Sequence, residues 1–541
     1  MSRNTEMKFA GTPAPKIERT VFPSMEFNYK GSFNVGQIIP FFCYMDILPT
    51  DTIKASIKAV IRKQTSLVPA MDVLNTDVYF FNIRKRILWN HWNEFCGENK
   101  TGAWSADIEY LEPQFTAPTG GMLKGSIADH MGITKKTAGI KFSQFGVRAY
   151  VMTYNEWFRD QNLIAPERED KGDNDLTASN TDTTYGGIPF KAAKLHDYFT
   201  SGLPGPQKGD AVQIPLGTSA PIKTNIEELI TGVQNAMTLR LASNGNKPGN
   251  SQASLNNGKL AGVTDTAGLT TGYVYPSNLY ADLLEATAAT VSTQTLSFQL
   301  QKAREKDALY GTRLFEVLRG HFGIMNPEAV MQRPEYLGGE RFQLTDEQIP
   351  QTSATSGQSP QATLAAYSLT NFNKHLFTKS FNEHSVLMGL IVVRQYHTYQ
   401  QGLPRQWSRR RRFDHYWPVM QALRERPTYM KEIYATGVEE HDMAVHSYQE
   451  AWAEYRHGWN WTAGAMNSTY EQPLDQWHYG DIYSSDPILS KEWIEETPEY
   501  VDRNLAVKST TEDQLWADIK IELEMVRPMP LYSRPGYIDH F

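Results

Sequence analysis

Residues 385–399 read SVLMGLIVVRQYHTY, and the fold follows from how this stretch is read. Val386–Val393 is the longest apolar run of the chain. Bounded by polar residues and rich in Val, Ile and Leu, it reads as a strand covered on both faces, because a half-exposed strand would alternate. It is far too short for a membrane span, which takes about 20 residues. Working outward, Phe27–Trp92 is strand-like throughout. Val35–Met45 is largely apolar and punctuated by Gly36 and Pro40, and Val78–Leu88 sets Val78, Phe80, Ile83 and Leu88 among basic residues. Phe142–Tyr154 (FSQFGVRAYVMTY) reads as another strand. Short strands far apart, with long irregular segments between them, are the pattern of a mainly β jelly roll with elaborated loops.

The bulk composition agrees. The chain has 541 residues, 40% hydrophobic and 21% charged, so it is globular and long enough for a large core. With 12% aromatics, 29 Pro and 38 Gly, it favours strands and turns over helical bundles. Two helices are expected. Thr224–Leu241 opens with a capping box, Thr224 and Glu227, and sets Ile226, Ile230, Val233 and Met237 on one face. The second spans about Thr293–Phe322 with a break at Gly311. Its stripes, Leu296–Leu300–Ala303 and Leu314–Leu318–Phe322, look like packing faces. Ala242–Gly272 and Gln351–Gln361 are too polar for a core and read as exposed loops. Residues 1–24 form an N-terminal arm, polar and broken by Pro13 and Pro15, and the tail with Pro530 and Pro535 should lie extended.

Charge and cysteine content narrow the function. A net charge of −7 argues against a protein coated in positive charge for nucleic acid, yet permits a local basic patch. Cys43 and Cys96 are the only cysteines; two thiols build no disulfide scaffold and suit a reducing compartment. The N-terminus has no apolar segment of the secretory kind, so synthesis in the cytoplasm is expected. No Walker loop, Rossmann fingerprint, HExxH, GxSxG or CxxC is present. His441 and His446, behind Glu439 and Glu440, are spaced poorly for one helix face and read as a solvated charged loop rather than metal ligands. Glu383 and His384 lack a nucleophile beside them, and a buried, hydrogen-bonded histidine at a sheet edge or subunit contact fits better. Gly202–Gly209 contains Pro204 and Pro206, which remove the N–H groups a phosphate cradle needs. Arg84, Lys85 and Arg86 read as a solvated strand face. No catalytic residue, metal site or cofactor is assigned.

The sharpest charge feature is Arg405, Arg409, Arg410, Arg411 and Arg412, interleaved with Trp407, Phe413, Tyr416 and Trp417. Guanidinium groups follow a phosphate backbone while rings stack on bases, which suits single-stranded nucleic acid. The same residue types anchor subunit contacts, so both readings stay open. Trp89, Trp92, Trp157, Trp452 and Trp477 are candidate interface anchors, each with ordinary core packing as the alternative.

Many stretches resemble one family in its order: Pro69–Trp92, YNEWFRDQNL at 154–163, KLHDYFTSGLPGPQKG at 194–209, GTRLFEVLRGHFG at 311–323, QRPEYLGG at 332–339, TYQQGL at 398–403, EAWAEYR at 450–456, EQPLDQWHYGD at 471–481 and RPGYIDHF at 534–541. The chain resembles the major capsid proteins of the Microviridae, specifically the gokushovirus branch. The resemblance implies an eight-stranded antiparallel jelly roll of the viral capsid type, with long loop insertions containing a few helices. It implies sixty copies closing a T=1 icosahedral virion shell around circular single-stranded DNA, assembled in the host bacterial cytoplasm. Other viral structural or scaffolding proteins and a host cell-surface receptor would be partners, with no membrane insertion. It also implies an insertion protruding at the threefold axes, placed here at 211–290, between a first core segment at 25–210 and a second at 291–541. RQWSRRRR is more basic than the family pattern, so its role rests on charge alone. A carbohydrate-binding jelly-roll protein and a single-stranded DNA-binding protein are the rivals; both predict monomers or small oligomers with ligand affinity, where a shell protein predicts high-order oligomers without ligand.

Overall fold

The structure, a computed structural model, describes residues 18–99, 109–210, 212, 222–224, 239–241, 253–256, 259–263, 271–277, 279–281, 291–310, 313–323, 332–350 and 364–532. Eight long strands carry the fold: β1 (Met25–Phe33), β2 (Ile39–Ile47), β3 (Thr52–Lys63), β4 (Leu74–Arg84), β5 (Glu335–Leu344), β6 (Thr370–Ser380), β7 (Ser385–Gln395) and β8 (Leu515–Arg527). One sheet runs β1-β8-β3-β6, with Thr20–Val21 added beside β8; the other runs β5-β4-β7-β2. All these pairings are antiparallel. In each sheet, strands from the beginning and end of the chain alternate, which is the double-sheet jelly roll. The connection β4–β5 carries residues 85–334 and β7–β8 carries residues 396–514, so the loops hold most of the mass.

The unbroken apolar run of β7 has a direct cause. Leu387, Ile391 and Val393 enter the core between the two sheets. Val386, Met388, Leu390 and Val392, on the opposite face, enter a second core built with the insertion. Both faces are dry, so neither alternates. At the crossing, a Cβ added to Gly389 would stand 2.9 Å from Phe41 and 3.1 Å from Phe42 and Phe80. β8 is the opposite case. Leu515, Ala517, Ile519, Ile521, Leu523 and Met525 all face the inter-sheet core, while its other face alternates outward. On that outer face, Lys54–Glu524, Lys58–Glu522 and Lys520–Glu26 pair across strands. The apolar period of two is complete along β8.

The LPTDT turn between β2 and β3 ties the sheets together. The Asp51 carboxylate accepts from Leu48 N–H at 2.9 Å and from the Arg527 guanidinium at 3.0 Å. Arg527 also donates to the Tyr44 hydroxyl and the Asp46 carbonyl. The end of β8 is thereby clamped to the turn that links β2 in one sheet to β3 in the other.

Several expectations change. Phe142–Tyr154 is no strand beyond Lys141–Ser143; Phe145–Thr153 is a helix, α1, and Tyr154–Phe158 a π-turn. Every residue of α1 is buried, so no polar face marks the helical period, and a short apolar run does not distinguish helix from strand. Tyr150 locks it in place, donating to the Ile38 carbonyl and accepting from Phe190 N–H. Lys85–Leu88 is a helical turn rather than strand. The helix over 293–322 is found as α2 (Val291–Tyr310) and α3 (Leu314–Phe322); the expected break at Gly311 lies outside the described residues. Leu296 and Leu300 on α2 are exposed, while Ala303 of the same stripe is half-buried. The helix expected at 224–241 begins and ends in strands, Ile222–Thr224 and Leu239–Leu241, and its middle lies outside the described residues. Within Ala242–Gly272, Ala253–Asn256 pairs with Lys259–Val263, so that part is a hairpin and not a plain loop. The arm ends in a strand at Thr20–Val21, while its first seventeen residues, Gln351–Gln361 and Pro535 lie outside the described residues.

By contact the chain divides into Met1–Pro206 with Tyr310–Phe541, and Gln207–Leu309. Within the second unit, Leu239–Leu241, Thr271–Pro276, Lys259–Val263 and Ala253–Asn256 form one four-stranded sheet.

Candidate inter-subunit and nucleic-acid surface

The five arginines lie in the β7–β8 connection, on a coil of short 3₁₀ turns over 405–407, 412–414 and 418–420. Proline begins two of these turns or caps them, and successive Arg and aromatic residues leave no apolar period for a longer helix. The loop rests on the hairpin Glu425–Tyr429 with Val445–Glu450. Trp452 forms its floor: the indole N–H donates to the Met420 carbonyl at 3.1 Å, Tyr416 meets the ring edge-on and Arg426 lies 4.7 Å over it.

The structure splits the cluster. Arg405 turns inward, 3.7 Å from Glu432, and donates to the Pro427 carbonyl at 3.1 Å. Arg409 lies 3.5 Å from Glu454 and 4.3 Å over the Tyr455 ring. Burial pushes the Glu432 carboxyl up, and Arg405 opposes that shift. These two arginines support the loop. Arg410, Arg411 and Arg412 are exposed. Asp414 beside them accepts from the backbone N–H of Arg410 and Arg411, which holds its carboxyl below the usual range. Arg412 lies 4.6 Å over Trp417 and 5.4 Å from Phe413. Trp407 is 72% exposed. The outer part thus exposes three guanidinium groups, with Arg412 set against the Phe413 and Trp417 rings.

The remaining tryptophans differ. Trp89 is buried, its N–H on Asp173 at 2.6 Å, and Trp452 is buried as described. A ring enclosed by its own chain has no face left for a neighbour, so both are core residues. Trp92 and Trp477 are half-buried, while Trp157 is exposed, donates to the Pro334 carbonyl and carries Arg333 at 4.2 Å. Arg84 and Arg86 are not solvated; both pair with Glu383, Arg86 at 2.6 Å. The half-buried His384 ring stands edge-on to Trp92. His441 bridges Asp442 and Asp486, whereas His446 is buried between Phe199 and Trp493, and this burial pushes its imidazole down to about 4.

Below the loop lies a buried charged network that no motif marks. His397 Nδ1 is 2.8 Å from Asp481 and Nε2 is 3.1 Å from Glu496. Lys194 and the Tyr483 hydroxyl also reach Asp481. Burial alone would lower the His397 pKa, but the two carboxylates overcome it and raise it to about 10. These residues come from segments far apart in the chain: Lys194, His397, Asp481 and Glu496. Beside the network an open cleft of about 580 Å³ is lined by Asp72, Tyr396, Trp459 and Trp461.

The double-sheet jelly roll is an architecture shared by viral capsid and lectin domains. The family of phage capsid proteins described as capsid protein (F protein) matches residues 10–537, and the chain belongs to that family. It is 38% identical over 545 residues to capsid protein VP1 of Bdellovibrio phage phiMH2K, covering 100% of this chain and 99% of that one. It is 38% identical to capsid protein VP1 of Spiroplasma virus 4, covering 93% of each, and 33% identical to that of Chlamydia phage 1, covering 98% and 97%. The relatives place it with the major capsid proteins of the gokushovirus branch of the Microviridae, proteins of phage virions that are structural and not enzymes. Among the described residues no helix is long and apolar enough to cross a membrane.

Proposed function

We propose that sixty copies of this chain close a T=1 icosahedral shell around circular single-stranded DNA in the host bacterial cytoplasm. The 211–290 insertion forms the outward protrusion at the threefold axes and meets the host receptor; other viral structural or scaffolding proteins assist assembly. A closed shell uses the same surfaces repeatedly, so modest contacts become strong together. The observation that carries the DNA reading is the exposed trio Arg410, Arg411 and Arg412, with Arg412 lying over Trp417. Three guanidinium groups give local positive charge on a chain of net charge −7, and the rings give sequence-tolerant stacking.

The test replaces Arg410, Arg411 and Arg412 with Ala together. Single-stranded DNA binding by the purified subunit should weaken and its salt dependence flatten by about 2 in log–log slope, since each phosphate contact contributes about 0.7. In cells making the companion viral proteins, closed but DNA-poor particles are expected. Loss of all particles with unchanged DNA affinity would instead make this platform a subunit contact.

A further inference from the structure

Between the sheets and the β7–β8 connection, four polar side chains meet in a space shut off from water. Lys63, the last residue of β3, is buried together with Asp346; the exposed fractions of their side chains are 1% and 2%. Its Nζ lies 2.6 Å from Asp346 Oδ2, 2.9 Å from Asn504 Oδ1 and 2.8 Å from the Tyr479 hydroxyl. The Asn504 carboxamide is fixed from its other end, where Nδ2 donates to the Val68 and Gln476 carbonyls at 2.7 and 2.8 Å. Asp346 Oδ2 is held by Ser66 and by Ala70 N–H. An amine, a carboxamide and an acid are thus oriented on one point in a dry core.

We propose that this cluster is a self-modification site, at which Lys63 and Asn504 join in an isopeptide bond with Asp346 as the proton carrier. The short contact gives one proton a direct path from Nζ to Asp346 Oδ2 as the amine attacks. Burial pushes the Lys63 ammonium toward its neutral form, with Asp346 opposing. Rotation about Cε–Nζ turns the freed lone pair toward Asn504 Cγ, and Asp346, now an acid, is placed to hydrogen-bond the carbonyl oxygen as it gains charge. The Nζ–Cγ bond forms and the Cγ–Nδ2 bond breaks. One remaining amine proton goes to Nδ2, which leaves as ammonia, and Asp346 ends protonated. No oxidant or co-reactant is required. Fixed proximity replaces an encounter, which is the means by which an otherwise sluggish amide exchange becomes feasible. The product would be a covalent link across 441 positions of the chain.

Intact-mass measurement of the purified chain, followed by peptide mapping, tests this directly. The expected result is a mass lower by one ammonia, a joined peptide pair containing Lys63 and Asn504, and faster migration of the denatured chain on a gel. Full mass overturns the proposal. So does an ammonia loss mapped to other residues, or a loss of water joining Lys63 to Asp346. Asn504→Ala should restore mass and mobility. Asp346→Asn, if folded, should also leave the chain unlinked, and a link that still forms in it would overturn the role of Asp346. Because the wild-type mass decides the bond itself, the test survives a variant that fails to fold.

Discussion

His397 shows how much one residue can set. In the folded chain its imidazole is held up to about 10 by Asp481 and Glu496, against an ordinary value of 6.5. A group raised in the folded state contributes stability that is complete below 6.5 and lost as pH climbs through 10. The urea midpoint of the subunit should therefore fall between those pH values, and His397→Gln should flatten the fall. At neutral pH the same substitution leaves two buried carboxylates short of a cation and should cost about 3–5 kcal/mol, read by urea unfolding. Gly389→Ala offers a second check: a methyl forced among Phe41, Phe42 and Phe80 should cost about 1–3 kcal/mol. Single residues were the least legible level in the sequence. The arginine cluster stood out, but Arg405 and Arg409 face inward because Glu432 and Glu454 arrive from other segments, and no local spacing announces that.

At the scale of elements, legibility followed exposure. β7 was readable because an unbroken apolar run of its length fits a doubly covered strand, and α2 with α3 because their apolar stripes keep the helical period. α1 was misread for the same reason that β7 was read correctly: full burial erases the period. β8 should behave as its alternation dictates. Ile521→Ala removes a core side chain and should destabilise by about 2–5 kcal/mol in denaturant unfolding. Lys520→Ala, one position along and on the solvent face, should stay within about 0.5 kcal/mol. On α2, exposed Leu296 and Phe298 replaced by Ser should leave subunit unfolding within the same limit, whatever they do to particle yield.

For the whole molecule, the jelly roll and the Gln207–Leu309 unit have separate contact networks. Replacing residues 207–309 with a flexible Gly–Ser linker should leave a soluble chain with one cooperative unfolding transition, followed by circular dichroism. Aggregation or a non-cooperative melt would show that the jelly roll depends on the excised residues. The mainly β class was visible in composition and strand spacing. The pairing order was not, because the long connections at 85–334 and 396–514 separate neighbours by far more sequence than any local pattern spans.

That order has a consequence in time. β8 fills the gap between β1 and β3, yet it leaves the ribosome long after both. Until then, two strands of the sheet wait with unpaired edges and no partner to choose between. Synthesis and closure are therefore sequential events, and a chain interrupted before residue 515 carries an open sheet that a holdase chaperone or protease can recognise. A subunit with a closed sheet has therefore been synthesised at least as far as β8.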